Sequence, residues 1–596
     1  MSSPYSFSKF DPSHIKEYEK ATIGSGDIGG KARGLIFARE VIREKIEDSG
    51  VANIGNLSKT TSIIIPESRF ISTEVFAQFM EDNHLHTLVA PLSGECSEAD
   101  YEHIKKAFIK ARIPPGLMQD LEKLVVELDF PLAVRSSSRL EDSVRYSFAG
   151  KYLTSFIPNR GSIQERVKQL ETAIKQIYAS TYGPSAVEYR RKHRLFEEEM
   201  AVIVQRFIGK ERGSYFYPEI SGVGFSKNYR RWTERIKKED GIIRLVFGIG
   251  TRCTGRGYAR TFSPTNLKLR PEGNNPWEIA RYSQETVDLF NLKTGELESF
   301  NINLKPEIAV HHPNFRRFAQ LYDAGENALL SVFDISRFLE GEYLGSRIKC
   351  IFTFQDLDSF FPEIFETVDF MFKALEDAMG TSVDIEFTFE TLDRSFALVQ
   401  CRPLSSQEEY RRVVLPKFIP EESIILKGDR MLTNGAIEHV RHLVFVDHER
   451  YRDEVDKYAV AREVGVVNKQ LEGTRYILVG PGRWGSNDPL SGVPVQYSEI
   501  SNCGVLVEVG IGQEDFVPEL SYGTHFFADL DLHGILYLPV FDTIKTNTFN
   551  VKWFQNVPCR YGNHPAVRVY DGNFSVFLDG ESMVGVVIDN EIITGK

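Results

Sequence analysis

Cysteine is scarce in this chain: six residues, at 96, 253, 350, 401, 503 and 559, are spread over 596. None forms a C-x-x-C pair, so neither a zinc spacing nor a disulfide framework is suggested, and a reducing cytoplasm is the simplest compartment. Long apolar runs are missing too. No stretch reaches the roughly 18 residues that a membrane helix needs. The opening residues, MSSPYSFSKFDPSH, lack the charged-then-apolar design of a secretory signal. Positive charge is in deficit, with 71 Lys and Arg against 83 Asp and Glu. The net charge of −12 argues against a general nucleic-acid binder and leaves room only for a local basic cleft. No internal repeat is present, which sets aside repeat architectures. What is there is ordinary globular material, 42% hydrophobic and 26% charged, long enough for two to four domains.

The stretch GSGDIGGKARG (24–34) has the glycines and lysine of a phosphate loop but not its spacing. Counting back from Gly30-Lys31, Ser25 stands where G-x-x-x-x-G-K-[ST] needs glycine, and Ala32 stands where it needs a hydroxyl. From Gly30 to about Ile46, apolar residues recur at helical spacing, so Lys31 belongs to the first turn of a helix. There it either reaches a phosphate favoured by the helix N-terminus or is simply solvated.

Further along, TSIIIP (61–66) reads as a buried strand, and 98–112, 115–128 and most of 162–193 as helices. PLAVRSSS (131–138) reads as a strand entering a polar turn. It opens the stretch AVRSSSRLEDSVRYSFAGKYLT, where Arg135, three serines and the small residues Ser147 to Gly150 suit a polyphosphate. Strands are expected at 200–207, 221–226 and 242–250, then a helix at 363–379. VDIEFTFE (383–390) and SFALVQCRP (395–403), joined by TLDR, read as a hairpin. Alternation puts Asp384 and Glu386 on one face and Gln400 and Arg402 on one face of the returning strand. Two carboxylates on one face are costly unless a cation or ligand offsets them.

GDIGGKARGL, LAVRSSSRLEDSVRYSFAGKYLT, MAVIVQRF, SGVGFS, VDIEFTFE and LVQCRP together resemble, in order, the nucleotide-binding domain of the pyruvate phosphate dikinase and phosphoenolpyruvate synthase family. Related domains occur in rifampicin phosphotransferase and the plant glucan and water dikinases. The resemblance spans roughly 20–405. It implies an α/β (α+β) fold with a two-lobed ATP-grasp-type domain, lobes 1–210 and 211–405, that closes on ATP and Mg²⁺. A linker at 406–424 and a smaller C-terminal α/β or mostly β module at 425–596 would follow. By motif, Lys31, Arg135 and Arg402 would contact phosphates, Gly150 and Thr154 would line the pocket, and Gln205 would lie near the adenine. Glu386 and Gln400 would hold the metal and nucleotide, with Asp384 in support.

Three departures limit the resemblance. The carrier motif T-x-G-G-x-x-S-H-A is missing, and about 170 residues after the linker are too few for the family's phosphoenolpyruvate-binding barrel. In GIGTRCTGRGYAR (248–260), Thr251 stands where family members often have glutamate, and the basic residues suit an anionic acceptor. The C-terminal module carries YILVGPGRWGSNDP (476–489), with Arg483, Trp484 and Asp488, and ELSYGTHFFADLDLHG (519–534). His525 in the latter, beside Thr524, is a candidate phosphoacceptor or base, as against a hydrogen-bonded structural histidine; His439 and His442 are weaker candidates. The leading expectation is an ATP-dependent phosphotransferase acting on a small-molecule or protein acceptor or its own histidine, with a homo-oligomer or separately encoded partner domain allowed. A nucleotide sensor that keeps the site without phosphoryl transfer is the alternative.

Overall fold

The computed structural model describes the chain except residues 1–6, 8–9, 11, 13–14, 49–61, 91–95, 140, 142–151, 193–194, 196–197, 228–236, 254–257, 272, 274, 331–334, 344, 405–412, 414, 417, 431, 487–488, 513–519, 522–525, 528–529, 531–533, 581 and 595–596. The fold is mixed α/β and divides into two units, one of residues 1–228 and 239–405, the other of 229–238 and 406–596.

In the first unit, a five-stranded sheet runs β1 (Thr22–Ile23), β3 (Ser68–Ile71), β6 (Met200–Arg206), β4 (Leu132–Ser138), β5 (Thr154–Ile157). A six-stranded sheet runs β11 (Arg260–Phe262), β10 (Ile242–Phe247), β9 (Ile220–Phe225), β17 (Val383–Glu390), β18 (Ser395–Pro403), β2 (Ser62–Ile64). Two smaller sheets use β7 (Lys210–Arg212), β8 (Tyr215–Tyr217), β12 (Thr286–Asn291) and β13 (Glu296–Asn301), and β14 (Ala319–Asp323), β15 (Ala328–Leu330) and β16 (Ile348–Phe352).

Local chemistry sets the helix ends. Ser97 with Asp100 and Ser162 with Glu165 form reciprocal capping boxes at the starts of Glu98–Lys110 and Ile163–Ser180. Pro362 opens the helix Pro362–Met379, and Gly380, at φ 70°, closes it. That helix buries Phe365, Val368, Met371, Phe372 and Leu375 in one core with Ile243, Leu245, Ile385 and Phe387 of the six-stranded sheet. The glycines of SGVGFS make this packing close: a Cβ on Gly222 would lie 2.3 Å from the Phe387 ring, and one on Gly224 2.9 Å from Phe372.

Two expectations need correction. TSIIIP is not a buried strand: β2 is a three-residue edge strand with an exposed–intermediate–exposed pattern, paired on one side with β18. The serines of PLAVRSSS do not start a turn; they continue β4, and Ser136, Ser137 and Ser138 are each fully buried.

The second unit is built on a nine-stranded sheet. Its parallel part is β20 (Gly435–Val446), β21 (Tyr476–Pro481), β22 (Cys503–Gly510) and β23 (Leu536–Phe541). On the other side of β20 come β26 (Val567–Asp579), β27 (Val584–Asp589) and β19 (Ile424–Gly428), each antiparallel to the strand before it; β24 (Thr548–Phe549) and β25 (Arg560–Tyr561) add short edges. No helix among the described residues is long and apolar enough to cross a membrane.

Candidate functional site

The glycines of GSGDIGGKARG serve close packing. Gly29 starts the helix Gly29–Asp48 at φ +77°, and a Cβ there would lie 1.8 Å from the Ser137 carbonyl oxygen. A Cβ on Gly34 would lie 2.2 Å from the Cys401 carbonyl oxygen. The helix thereby presses against β4 and β18 at once. The Ser137 hydroxyl closes its first turn, donating to the Ile28 carbonyl at 2.7 Å and accepting from the Ala32 N–H at 3.0 Å. This fixes Lys31 at the end of β4, with Nζ 3.1 Å from Ser136 Oγ and 2.6 Å from Glu141 Oε1. Glu141 is 2% exposed.

Arg135 joins the two sheets. Its Nη1 donates to Gln205 Oε1 on β6 at 3.3 Å and to the Val399 carbonyl on β18 at 3.2 Å. Its Nη2 donates to Glu386 Oε2 on β17 at 3.0 Å and to the Gln400 amide oxygen on β18. In the hairpin, Asp384 pairs across with Arg402 and Glu386 with Gln400, and the register shifts between Glu386 and Phe387. Such irregularities re-aim side chains beside binding sites. Arg402 Nε and Nη2 both reach Asp384 Oδ2, at 2.7 and 2.5 Å. Asp384 is deeply buried, whereas the Glu386 side chain keeps 41% of its surface open. Burial works against ionisation of Glu386, but the charges of Arg135, Arg402 and Lys31 outweigh it and hold the carboxyl below its usual range.

Lys31, Arg135, Gln205, Asp384, Glu386, Gln400 and Arg402 are thus tied, pair by pair, to the faces of four strands and one helix. Thr154 is exposed on β5, directly opposite Arg135 in the ladder. Gly150 and His525 lie outside the described residues. Among the described residues no group of three or more His, Cys, Asp or Glu could hold a metal. The donors that fit a hard cation are the open Glu386 carboxylate and the Gln400 amide oxygen. Mg²⁺ takes few protein ligands and fills its remaining positions with phosphate and water, so two oxygens on facing strands suit it.

The other motifs find partners of their own. Thr251 Oγ1 donates to Asp288 at 2.5 Å, and Arg252 Nη2 ion-pairs with the same carboxylate at 2.8 Å. His442 Nδ1 is 2.7 Å from Asp571, and His439 Nδ1 is 3.2 Å from Asn573. In the second unit, buried Glu508 accepts from the Trp484 N–H at 2.9 Å, the Ser521 N–H at 2.6 Å and the Tyr537 hydroxyl at 2.7 Å. It therefore knots together the two stretches singled out there. Glu141 and Glu508 are the residues that sequence reasoning gave no role. For Glu141 a signal existed: Ser138 and Glu141 have S-x-x-E spacing and bond reciprocally, Ser138 N–H to Oε2 and Glu141 N–H to Ser138 Oγ, both at 3.1 Å.

Residues 27–422 match the family model described as pyruvate phosphate dikinase, AMP/ATP-binding domain. A 204-residue stretch, 33% of this chain, is 30% identical to an uncharacterized phosphotransferase, YvkC, of Bacillus subtilis and covers 21% of that protein. A 145-residue stretch, 24% of this chain, is 32% identical to a phosphoenolpyruvate synthase of Deinococcus radiodurans and covers 16% of it. The chain thus matches about a fifth of the length of these curated relatives.

Proposed function

We propose, from the premise that this chain belongs to the pyruvate phosphate dikinase AMP/ATP-binding family, that it is an ATP-dependent, magnesium-requiring phosphotransferase. The observation that carries this is the Arg135 guanidinium, which gathers Gln205, Glu386 and Gln400 from strands far apart in sequence. A fork that touches two side-chain amides and a carboxylate at once is suited to exchange these partners for phosphate oxygens.

In this reading Lys31, Arg135 and Arg402 take the phosphates, Asp384 holds Arg402 in place, and Gln205 marks the base end. Gly150 and Thr154 line the pocket. Glu386 and Gln400 would hold Mg²⁺, which when bound neutralises charge on the polyphosphate. The protein's own contribution is a set of cations fixed before charge develops on the transferring group. The acceptor is a small molecule, a protein or His525 of this chain. A homo-oligomer or a separately encoded partner domain is compatible with this reading. We keep the lobes 1–210 and 211–405, the linker 406–424 and the module 425–596 as the working division. The cytoplasm is the compartment we favour, since none of the six cysteines is joined in a disulfide.

Incubation with ATP labelled at each phosphate tests this reading. AMP plus phosphate indicates dikinase chemistry and ADP a simple kinase. A phosphoryl group on His525 would be stable in base and lost from His525→Ala in intact-mass measurements. The sensor alternative has one observation in its favour: Lys31, Arg135 and Arg402 each already face a carboxylate. Tight ATP binding without turnover would establish it and sink the enzyme reading.

A further inference from the structure

The face of the six-stranded sheet that carries Glu386 extends past the residues used so far. Gln400 faces Glu386, Glu386 faces Val223 on β9, and Val223 faces Arg244 on β10. Directly opposed residues of antiparallel strands project to the same side. These four therefore form one row across four adjacent strands. Their sequence neighbours Ile243, Leu245, Ile385 and Phe387 take the other side, inside the core. Arg244 is thus on the side of Arg135. Two strand spacings, about 9.5 Å, separate its backbone from that of Glu386, a gap that an extended arginine side chain largely spans.

Two further observations place its charge. The guanidinium carbon lies 5.2 Å from the centre of the Tyr258 ring, a cation–π contact that restrains the arm. The thiol of Cys253 is pushed up by burial and by the negative charge of Glu386, while the positive charge of Arg244 opposes the shift, so both charges act on one buried atom. The charges over this face run cation, carboxylate, cation: the Arg135 guanidinium, which comes from β4 and reaches Val399 and Gln400 on β18, then Glu386 on β17, then Arg244 on β10. Gln205 sits on the Arg135 side.

We propose that Arg244 binds the terminal phosphate of the nucleotide and so selects the triphosphate over the monophosphate. This rests on the nucleotide-site reading above: with the base near Gln205 and the metal at Glu386, the far end of the phosphate chain runs across β9 toward β10.

The test is calorimetric titration of the full chain, wild type, Arg244→Ala and Arg244→Lys, with AMP, ADP and a non-hydrolysable ATP analogue in the presence of Mg²⁺. Loss of a charge-assisted phosphate contact weakens binding by about ten- to a hundredfold. Arg244→Ala should lose that much for the ATP analogue and keep its AMP affinity within about twofold, which also verifies its fold. Arg244→Lys should fall between. Equal losses for AMP and the ATP analogue, or no loss for either, would overturn the assignment to Arg244 alone. A wild type that binds none of the three would overturn the nucleotide-site reading together with it.

Discussion

Gly34→Ala sets two effects of opposite sign against each other. In the middle of a helix, alanine in place of glycine is favourable by about 1 kcal/mol. Here, however, the new Cβ would stand 2.2 Å from the Cys401 carbonyl oxygen and 3.3 Å from its carbon. A carbon and a carbonyl oxygen meet at about 3.3 Å, so the helix and β18 must part by about 1 Å. Both obstructing atoms are backbone, and no rotamer relieves them. Overpacking costs about 1–3 kcal/mol, and a backbone obstacle puts this case at the upper end. The net expectation is a loss of about 2 kcal/mol, a fall of a few degrees in melting temperature. Lys31 lies one turn earlier on the same helix, and Gln400 and Arg402 flank Cys401, so the displacement falls on the candidate site itself. A shift near 1 Å in positioning groups costs about a hundredfold in rate. Gly116→Ala is the control: it is also helical, but nothing lies within 4 Å of its Cβ, so it should be neutral or slightly stabilising. Thermal melts and ATP titration of both variants decide the matter. If Gly34→Ala melts and binds like Gly116→Ala, close approach is not what the glycine provides.

Lys31→Ala should weaken ATP binding by about ten- to a hundredfold in calorimetry. It should also lower the melting temperature, because Glu141 loses its ion pair, and adding Glu141→Gln should restore the melt but not the affinity. Glu219 should contribute to acid stability. Burial opposes its ionisation, but hydrogen bonds from His312 and Thr391 prevail and hold it at about 2 against 4.5 for a free glutamate. A depressed carboxylate stabilises above the unfolded value and loses that contribution as pH falls. Melts between pH 5 and 3 should therefore drop more steeply for wild type than for Glu219→Gln. Glu386→Gln should abolish turnover yet raise ATP affinity measured without Mg²⁺, and an affinity that falls in both conditions would refute the role given to that carboxylate.

The hairpin was legible to the residue, Val383–Glu390 and Ser395–Pro403, because alternation and the TLDR turn are local signals. The helix starts at Glu98 and Ile163 were legible for the same reason: their capping residues are neighbours in sequence. The serines after Arg135 misled because two of their hydroxyls, those of Ser136 and Ser137, are satisfied from a distance. Ser136 and Ser137 bond to Lys31, Ile28 and Ala32, more than a hundred residues away. A local rule reads serine in a row as a turn. It cannot see that a helix start supplies partners that make such a strand buriable. TSIIIP misled in the opposite sense, since an apolar run does not reveal whether a second strand will cover its outer edge. The sheets formed by β7, β8 and β12 to β16 went unread, because their pairings join segments up to about eighty residues apart with no single strong signal. In the site, motif order pointed to the cluster, while its pairing, Arg135 with Glu386 and Arg402 with Asp384, is a tertiary fact.

That pairing explains why a metal should matter to nucleotide binding. Lys31, Arg135 and Arg402 bring three positive charges, and Glu141, Glu386 and Asp384 face them with three negative ones. A triphosphate that enters alone competes with carboxylates for cations already engaged, and each cation it wins leaves a carboxylate unbalanced. Two of the three are nearly fully buried, Glu141 and Asp384 at 2% exposure each, and an unpaired charge there is costly. Glu386 is the one that can change partners at low cost, since 41% of its side chain is open. On the proposed reading, Glu386 would hold a divalent cation that accompanies the phosphates while the Arg135 guanidinium would bind the nucleotide. Neutralising Glu386 by amide substitution removes the competitor and, on the proposed reading, would remove the metal ligand with it. Affinity for free ATP should therefore rise, affinity for the magnesium complex should fall, and the two should converge. Convergence is the diagnostic result. A variant that keeps the wild-type dependence on Mg²⁺ would mean that the metal is held by other groups.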